Sequence, residues 1–302
     1  MKILVYGKGW IGNQFMDILT SNNIDFVCGE SRVDNINTLL EEMNRINPTH
    51  VISFIGRTHG VINGKIYPTI DYLEQGKLFE NIRDNLFGPL ILAKICQDKK
   101  IHCTYLGTGC IFKYDEEHPN GFTEDSLPNF FGSSYSIVKG FTDQFINMFD
   151  ALNLRIRMPI TGEKNPRNFI TKITNYEKIC SIPNSMSVLP ELLPMVLEMM
   201  KQQLKGTINL TNPGVISHNE ILEMYREIVD PYFQWKNFSQ EEQRQILAAD
   251  RSNNLLNTEK LESLFPVLPI KESIRKILYD YKESAKINIL ITGGCGLSLI
   301  HI

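Results

Sequence analysis

The chain has 302 residues, of which 42% are hydrophobic and 22% charged, and its net charge is −3. That length suits one large domain or two coupled ones with an ordinary core, and the charge gives no electrostatic drive toward nucleic acid or an anionic membrane. No apolar run reaches the roughly 18 residues of a membrane span. The start MKILVYG is too short for a signal-peptide core, and the six cysteines form no CxxC pair. Neither a zinc site nor a disulfide framework is therefore expected, and a reduced, cytoplasmic setting is.

Residues 2–6 (KILVY) read as a buried strand that runs straight into glycines. A helix over 10–21 follows, with Ile11, Phe15, Ile18 and Leu19 at helical spacing. Then come a strand at 24–28, a helix marked by Leu39, Leu40, Met43 and Ile46, and a strand at 50–55. A long helix is expected over 78–98, a strand over 102–106, a helix over 133–149 and a strand over 152–158. Strands and helices alternating in this way imply an α/β fold, a Rossmann-type doubly wound parallel sheet with right-handed crossovers. Beyond residue 160 helices dominate (190–203, 218–229, 239–248, 270–283), interrupted by a strand-like stretch at 206–214. The expected division is a dinucleotide-binding domain over 1–158 and a smaller C-terminal substrate domain over 159–284, whose elements are free to return to the first. A tail over 285–302 stands outside the fold. Its residues 287–292, then Gly293, Gly294 and Gly296, look like the opening strand and glycine turn of a second such fold, with nothing after them to complete it.

Gly7, Gly9 and Gly12 form G-K-G-W-I-G between the first strand and the first helix, the context in which this spacing binds a dinucleotide. The first glycine allows the tight turn, the second lets the pyrophosphate approach the helix N-terminus, and the third allows close helix–strand packing. Trp10 and Ile11, inside the motif, are counted as cofactor contacts, as is Pro159. At the end of the second strand, Ser31 and Arg32 suit a 2′-phosphate, whereas Glu30 suits the ribose hydroxyls of NAD. NADPH is the expected cofactor, with NADH open. Arg57, after the third strand, either binds a phosphate or caps a helix. Asn85 is expected to order the loop beside the cofactor.

Tyr135 and Lys139 form Y-x-x-x-K, which a helix places on one face. A phenol near pKa 10 is a poor acid at neutral pH, and a neighbouring ammonium is expected to bring it down so that it protonates a carbonyl oxygen. Thr108 and Cys110 lie just past the fourth strand, at the sheet edge where ligands of open α/β folds bind. Residues two apart in extended chain point the same way, which puts Thr108 on the same carbonyl oxygen as Tyr135, with Cys110 beside it. A lone cysteine is otherwise inert packing.

The run LGTGCIFKYDEEHPNGFTEDSLPNFFGSSYSIVK, together with RIRMPI, NPRNFITKI, IPNSM and NLTNPGVISHNEILEMY, resembles the nucleotide-rhamnose synthase/epimerase-reductase family of extended short-chain dehydrogenases/reductases, found in plants and large DNA viruses. The resemblance covers residues 1 to about 284. It implies a bifunctional 3,5-epimerase and 4-keto-reductase that makes UDP-L-rhamnose from UDP-4-keto-6-deoxyglucose. It further implies that Cys110 and Lys172 form the acid–base pair of epimerisation; otherwise Lys172 is a solvated helix charge. Arg167, Asn168 and Arg251 are candidates for the nucleotide diphosphate, and Arg251 reads equally as a surface charge. His118 and His218 read as structural. UDP and dTDP are not separable from sequence. A homodimer through the helices 78–98 and 133–149 is expected. A reductase acting on an already epimerised sugar, and a cofactor-binding regulatory subunit, are the rival readings; the intact Tyr135–Lys139 pair speaks against the second.

Overall fold

The computed structural model describes residues 1–284, 288–293 and 296–301. In chain order the first half runs β1 (Lys2–Tyr6), α1 (Trp10–Ser21), β2 (Asp25–Cys28), α2 (Ile36–Ile46) and β3 (His50–Ser53). A hairpin of β4 (Gly60–Ile62) and β5 (Lys65–Tyr67) follows, then α3 (Leu78–Ile82), α4 (Gly88–Asp98), β6 (His102–Thr108), α5 (Ser134–Ile146) and β7 (Ala151–Ile156). The second half holds β8 (Pro159–Ile160), α6 (Phe169–Thr174), β9 (Ser187–Val188), α7 (Leu189–Lys201), β10 (Gly206–Asn209), α8 (His218–Ile228), α9 (Gln240–Ile246), α10 (Glu259–Leu264) and α11 (Ile270–Ser284). In the tail, β11 (Asn288–Gly293) and β12 (Gly296–His301) pair antiparallel with each other. The expected glycine turn there includes Gly294, which lies outside the described residues.

The central sheet has the order β10-β7-β6-β3-β1-β2, and every pairing in it is parallel. This is the doubly wound sheet expected from the alternating pattern. The inner strands are buried on both faces, so their side chains alternate between two cores. Ile3 and Val5 face a cluster with Phe15 and Leu19 of α1 and Leu193 and Val196 of α7. Leu4 and Tyr6 face Leu39 and Met43 of α2, Leu92 and Cys96 of α4, and Ile146 of α5. β10 and α7, from beyond residue 159, thus complete the sheet unit. A separate cluster joins α6, α8 and α11 through Ile170, Ile173, Ile221, Leu222, Ile274 and Leu278.

The expected helix over 78–98 is continuous but contains an irregularity. Between α3 and α4, residues Arg83–Phe87 form a π-helical turn. The β4–β5 hairpin was not anticipated, although its turn residues Asn63 and Gly64 (φ +50° and +79°) are those a tight hairpin demands.

The topology gathers the loops after β1, β3, β6 and β7 at one edge of the sheet, where an open parallel sheet binds its ligands. A buried ion pair locks the elements behind that edge. Arg155 of β7 donates to Asp143 of α5 through Nη2 at 2.7 Å and Nε at 2.9 Å, with side chains only 1% and 5% exposed. Asn153 donates to the same carboxylate at 2.8 Å. Asp143→Ala leaves a buried guanidinium without its anion, which is expected to cost about 3–5 kcal/mol. Equilibrium urea denaturation checks this, and a loss below about 1 kcal/mol would contradict the locking role.

Candidate active site

The glycine turn after β1 is built for close approach. Gly7 has φ +97°, and a Cβ on Gly12 would lie 2.0 Å from the Gly7 carbonyl oxygen, so neither position accepts a side chain. Above Gly9 nothing lies within 4 Å. Gly9 caps α1 with no side-chain hydrogen bond, so the first amides of the helix face open space. That combination of open cradle and uncapped N-terminus fits a pyrophosphate. Trp10 reaches across the turn and donates to Glu163, beyond Pro159 of β8. Ile11 packs against the sheet core.

At the other end of this groove, Ser31, Arg32, Asn35, Thr38 and Arg45 line an open cavity of about 390 Å³ with Glu30 and Glu42. Buried Glu42 accepts from the Glu30 and Ser31 amides and the Tyr6 hydroxyl; burial alone would raise its pKa, and these bonds outweigh it. The Ser31 hydroxyl donates to the Thr38 carbonyl at 3.0 Å. Arg32 is exposed and paired with Asp34 at 3.0 Å. Arg45, unforeseen in the sequence, adds a second guanidinium.

The Arg57 side chain is engaged through its Nε. The guanidinium is already held by carboxylates, Asp84 at 2.9 Å and Glu80 at 3.3 Å. Asn85 grips the Arg57 backbone from both sides, accepting from its N–H at 2.8 Å and donating to its carbonyl at 2.9 Å. The loop after β3 is thereby ordered by Asn85.

Thr108 ends β6; its hydroxyl donates to the Ile156 carbonyl at 3.4 Å, accepts from the Cys110 amide at 3.1 Å, and lies beside the Tyr135 phenol. Cys110 packs in the cluster of Tyr72, Leu73 and Tyr135. α5 starts cleanly at the Ser133 cap, whose side chain accepts from the Ser136 amide, and the Ser136 hydroxyl donates to the Cys110 carbonyl at 2.7 Å. Thr108, Cys110 and Tyr135 thus meet as the sequence spacing required. The phenol departs from expectation, because burial pushes its pKa up, with the neighbouring Cys110 adding to the rise. Lys139 does not counter this, since its ammonium donates to the Tyr105 hydroxyl and sits 4.5 Å from that ring's centroid. No sequence signal distinguishes Tyr105 from any other strand aromatic.

A second cluster, around Lys172, is electropositive. Half-buried Lys172, on α6, has its pKa lowered by burial and then by the Arg167 and Arg251 charges. Arg167 contacts both ring nitrogens of His59, whose pKa is lowered by burial, Arg167, Arg57 and Lys172. Arg251 pairs with Asp71 and donates to the Ala249 carbonyl at 2.6 Å. Asn168 departs from its expected ligand role. It is fully buried as the cap of α6, accepting from the Ile170 amide and donating to the carbonyls of Thr161 and Glu163, which leaves no amide hydrogen for a ligand. His118 stacks on Phe122 and pairs with Asp115, while His218 packs on Phe169 with its pKa pushed by burial down to about 4.

No family model matches the chain. A protein of Acanthamoeba polyphaga mimivirus, L780, is 54% identical over 290 residues, 93% of this chain and 99% of its own. Its crystal structure, described as a UDP-rhamnose synthase, superposes with a TM-score of 0.89 over 93% of this chain and 99% of that one. An Arabidopsis thaliana bifunctional dTDP-4-dehydrorhamnose 3,5-epimerase/dTDP-4-dehydrorhamnose reductase is 43% identical over 292 residues, 94% of either chain. The chain belongs to this epimerase-reductase family. The resemblance read over residues 1 to about 284 is therefore confirmed, and the protein is an enzyme. A dTDP-4-dehydrorhamnose reductase from Bacillus anthracis, solved in complex with NADP, shares the fold at 18% identity with a TM-score of 0.73, covering 91% of this chain and 96% of that one.

Burial lowers the Lys139 pKa to about 8, with the Asp143 and Cys110 charges opposing the fall. The unfolded chain holds that proton up to about pH 10.4. Between those values the unfolded state binds more protons, so the contribution of Lys139 to stability rises with pH across the window. The melting temperature of the wild type minus that of Lys139→Met is expected to climb from about pH 8 to 10, and a flat difference would overturn the assignment.

Proposed function

We propose that the chain is an NADPH-dependent bifunctional 3,5-epimerase/4-keto-reductase converting UDP-4-keto-6-deoxyglucose to UDP-L-rhamnose. The observation that carries the reading is the meeting of Thr108, Cys110 and Tyr135 at the end of β6, on the same side as Lys139. The C4 carbonyl oxygen takes the Thr108 and Tyr135 hydroxyls. Carbons 3 and 5 flank that ketone, so their protons are acidic through the enolate, and the same two hydroxyls stabilise the enolate oxygen. Cys110 removes a proton from one face of the ring, and Lys172 returns one to the other. The nicotinamide, when bound, supplies a hydride to C4. Tyr135 then gives its proton to the C4 oxygen, with Lys139 as the nearby cation. Arg167 and Arg251, with His59 between the cationic groups, suit the substrate diphosphate. Residues 1–158 with the returning β10 and α7 form the cofactor half, and 159–284 supply the substrate half.

The deciding experiment is NADPH oxidation with UDP-4-keto-6-deoxyglucose, followed by NMR of the sugar. A rhamno-configured product is expected. A gluco- or galacto-configured 6-deoxy sugar would leave a reductase alone, and no oxidation would point to another sugar nucleotide as substrate. Cys110→Ala is expected to abolish turnover of the gluco-configured ketone and to spare reduction of a pre-epimerised one.

The NADPH preference rests on Arg32 and Arg45 at the mouth of the cavity beside Ser31. Replacing both with Ala is expected to raise KM for NADPH about tenfold while leaving KM for NADH little changed. Equal effects on the two cofactors would contradict the assignment.

A homodimer is supported by Ile137, Phe141, Phe145 and Met148, which lie exposed along α5, near exposed Phe87 where the π-helical turn meets α4. Five free cysteines among the described residues accord with a cytoplasmic location.

A further inference from the structure

Two arginines two residues apart on and just beyond β7 are each 1% exposed, yet only one has an anion. Arg155 has Asp143. Arg157 has neutral partners only. It donates through Nη1 to the Gly109 carbonyl at 3.0 Å and the Ser252 hydroxyl at 2.8 Å. Through Nη2 it donates to Asn184 Oδ1 at 2.6 Å and the Ser252 carbonyl at 3.0 Å. Its Nε has no partner at all. A buried cation without a counter-ion is costly, and a fold that keeps one has placed it against something. The Gly109 carbonyl belongs to the peptide that joins Gly109 to Cys110, and that peptide's N–H donates to Thr108. A Cβ on Gly109 would come within 3.0 Å of the Arg157 Cγ, so the Cys110 turn rests directly on this side chain. The Cys110 and Tyr114 charges favour its protonated form, and its own charge helps to depress His218.

We propose that Arg157 is the positioning cation of Cys110, fixing the Gly109–Cys110 peptide and balancing the negative charge that the sulfur carries as the epimerase base. The proposal rests on the reading of Cys110 as that base. In the step concerned, the sulfur takes the proton from the carbon beside the ketone, and the C–H electron pair passes into the enolate. Lys172 returns a proton on the opposite face, and the resulting thiol and amine exchange with water. Negative charge therefore stands beside Arg157 before each abstraction, whereas hydride transfer places it at the C4 oxygen under Tyr135.

The test compares deuterium wash-in at C3 and C5, followed by NMR in D2O with the NADP-loaded enzyme, against reduction of a pre-epimerised 4-keto sugar nucleotide. Arg157→Met is expected to slow wash-in about a hundredfold and to leave reduction within roughly threefold of wild type. Arg157→Lys, which keeps the charge, is expected to restore most of the wash-in. Equal losses in both reactions with no rescue by Lys would make Arg157 merely structural and overturn the proposal. Wash-in lost in Cys110→Ala but intact in Arg157→Met overturns it alone. Wash-in that survives in Cys110→Ala removes Cys110 as the base, and the proposal with it. If Arg157→Met does not fold by circular dichroism, Arg157→Gln, which keeps donors but not charge, is read in the same way.

Discussion

The Asp143 carboxylate is the point at which α5 and the sheet become one body. It receives Arg155 and Asn153 from β7 on one side and opposes the lowered pKa of Lys139, one turn back on α5, on the other. Tyr135, Lys139 and Asp143 are spaced by four residues and so share a helix face. Fixing one end of that face to a strand fixes the rotation of the helix, and with it the approach of Tyr135 to Thr108. Hydrophobic packing alone would hold α5 to the sheet; it would not hold its phase.

Much of the fold was legible in the sequence, because burial on both faces of a parallel sheet leaves apolar runs that only strands satisfy, and Phe15 and Leu19 had to point inward. The glycine motif was equally readable, since close packing at Gly7 and Gly12 tolerates nothing else. The hairpin at 60–67 was missed because its strands are three residues long and expose Val61 and Ile66, so no period develops. The Asn63–Gly64 pair was the available signal. Asn168 was misread although an Asn before FITKI is what a helix cap looks like.

In the site, spacing along the chain was informative and pairing across it was not. Residues four apart on a helix, or two apart beyond a strand, reveal which side chains share a direction, and Tyr135, Lys139, Thr108 and Cys110 followed from that. What the Lys139 ammonium meets is decided by β6, which supplies Tyr105. The same holds for Arg57, neutralised by carboxylates some 25 residues away on the next helix. A charge in a sequence is only half an interaction. The electropositive cluster assembles from 59, 167, 172 and 251, which no local pattern links.

The π-helical turn at Arg83–Phe87 holds Asn85, and Asn85 holds the loop after β3. A π turn carries one residue more than the α-turn it replaces. The turn therefore shifts the phase of α4 relative to α3 within one continuous helix. Substitutions on their outer faces leave that shift alone, but losing a single residue from the turn would remove it and swing Asn85 about 100° around the axis, off the backbone it grips. Length, more than chemistry, is what that spot depends on.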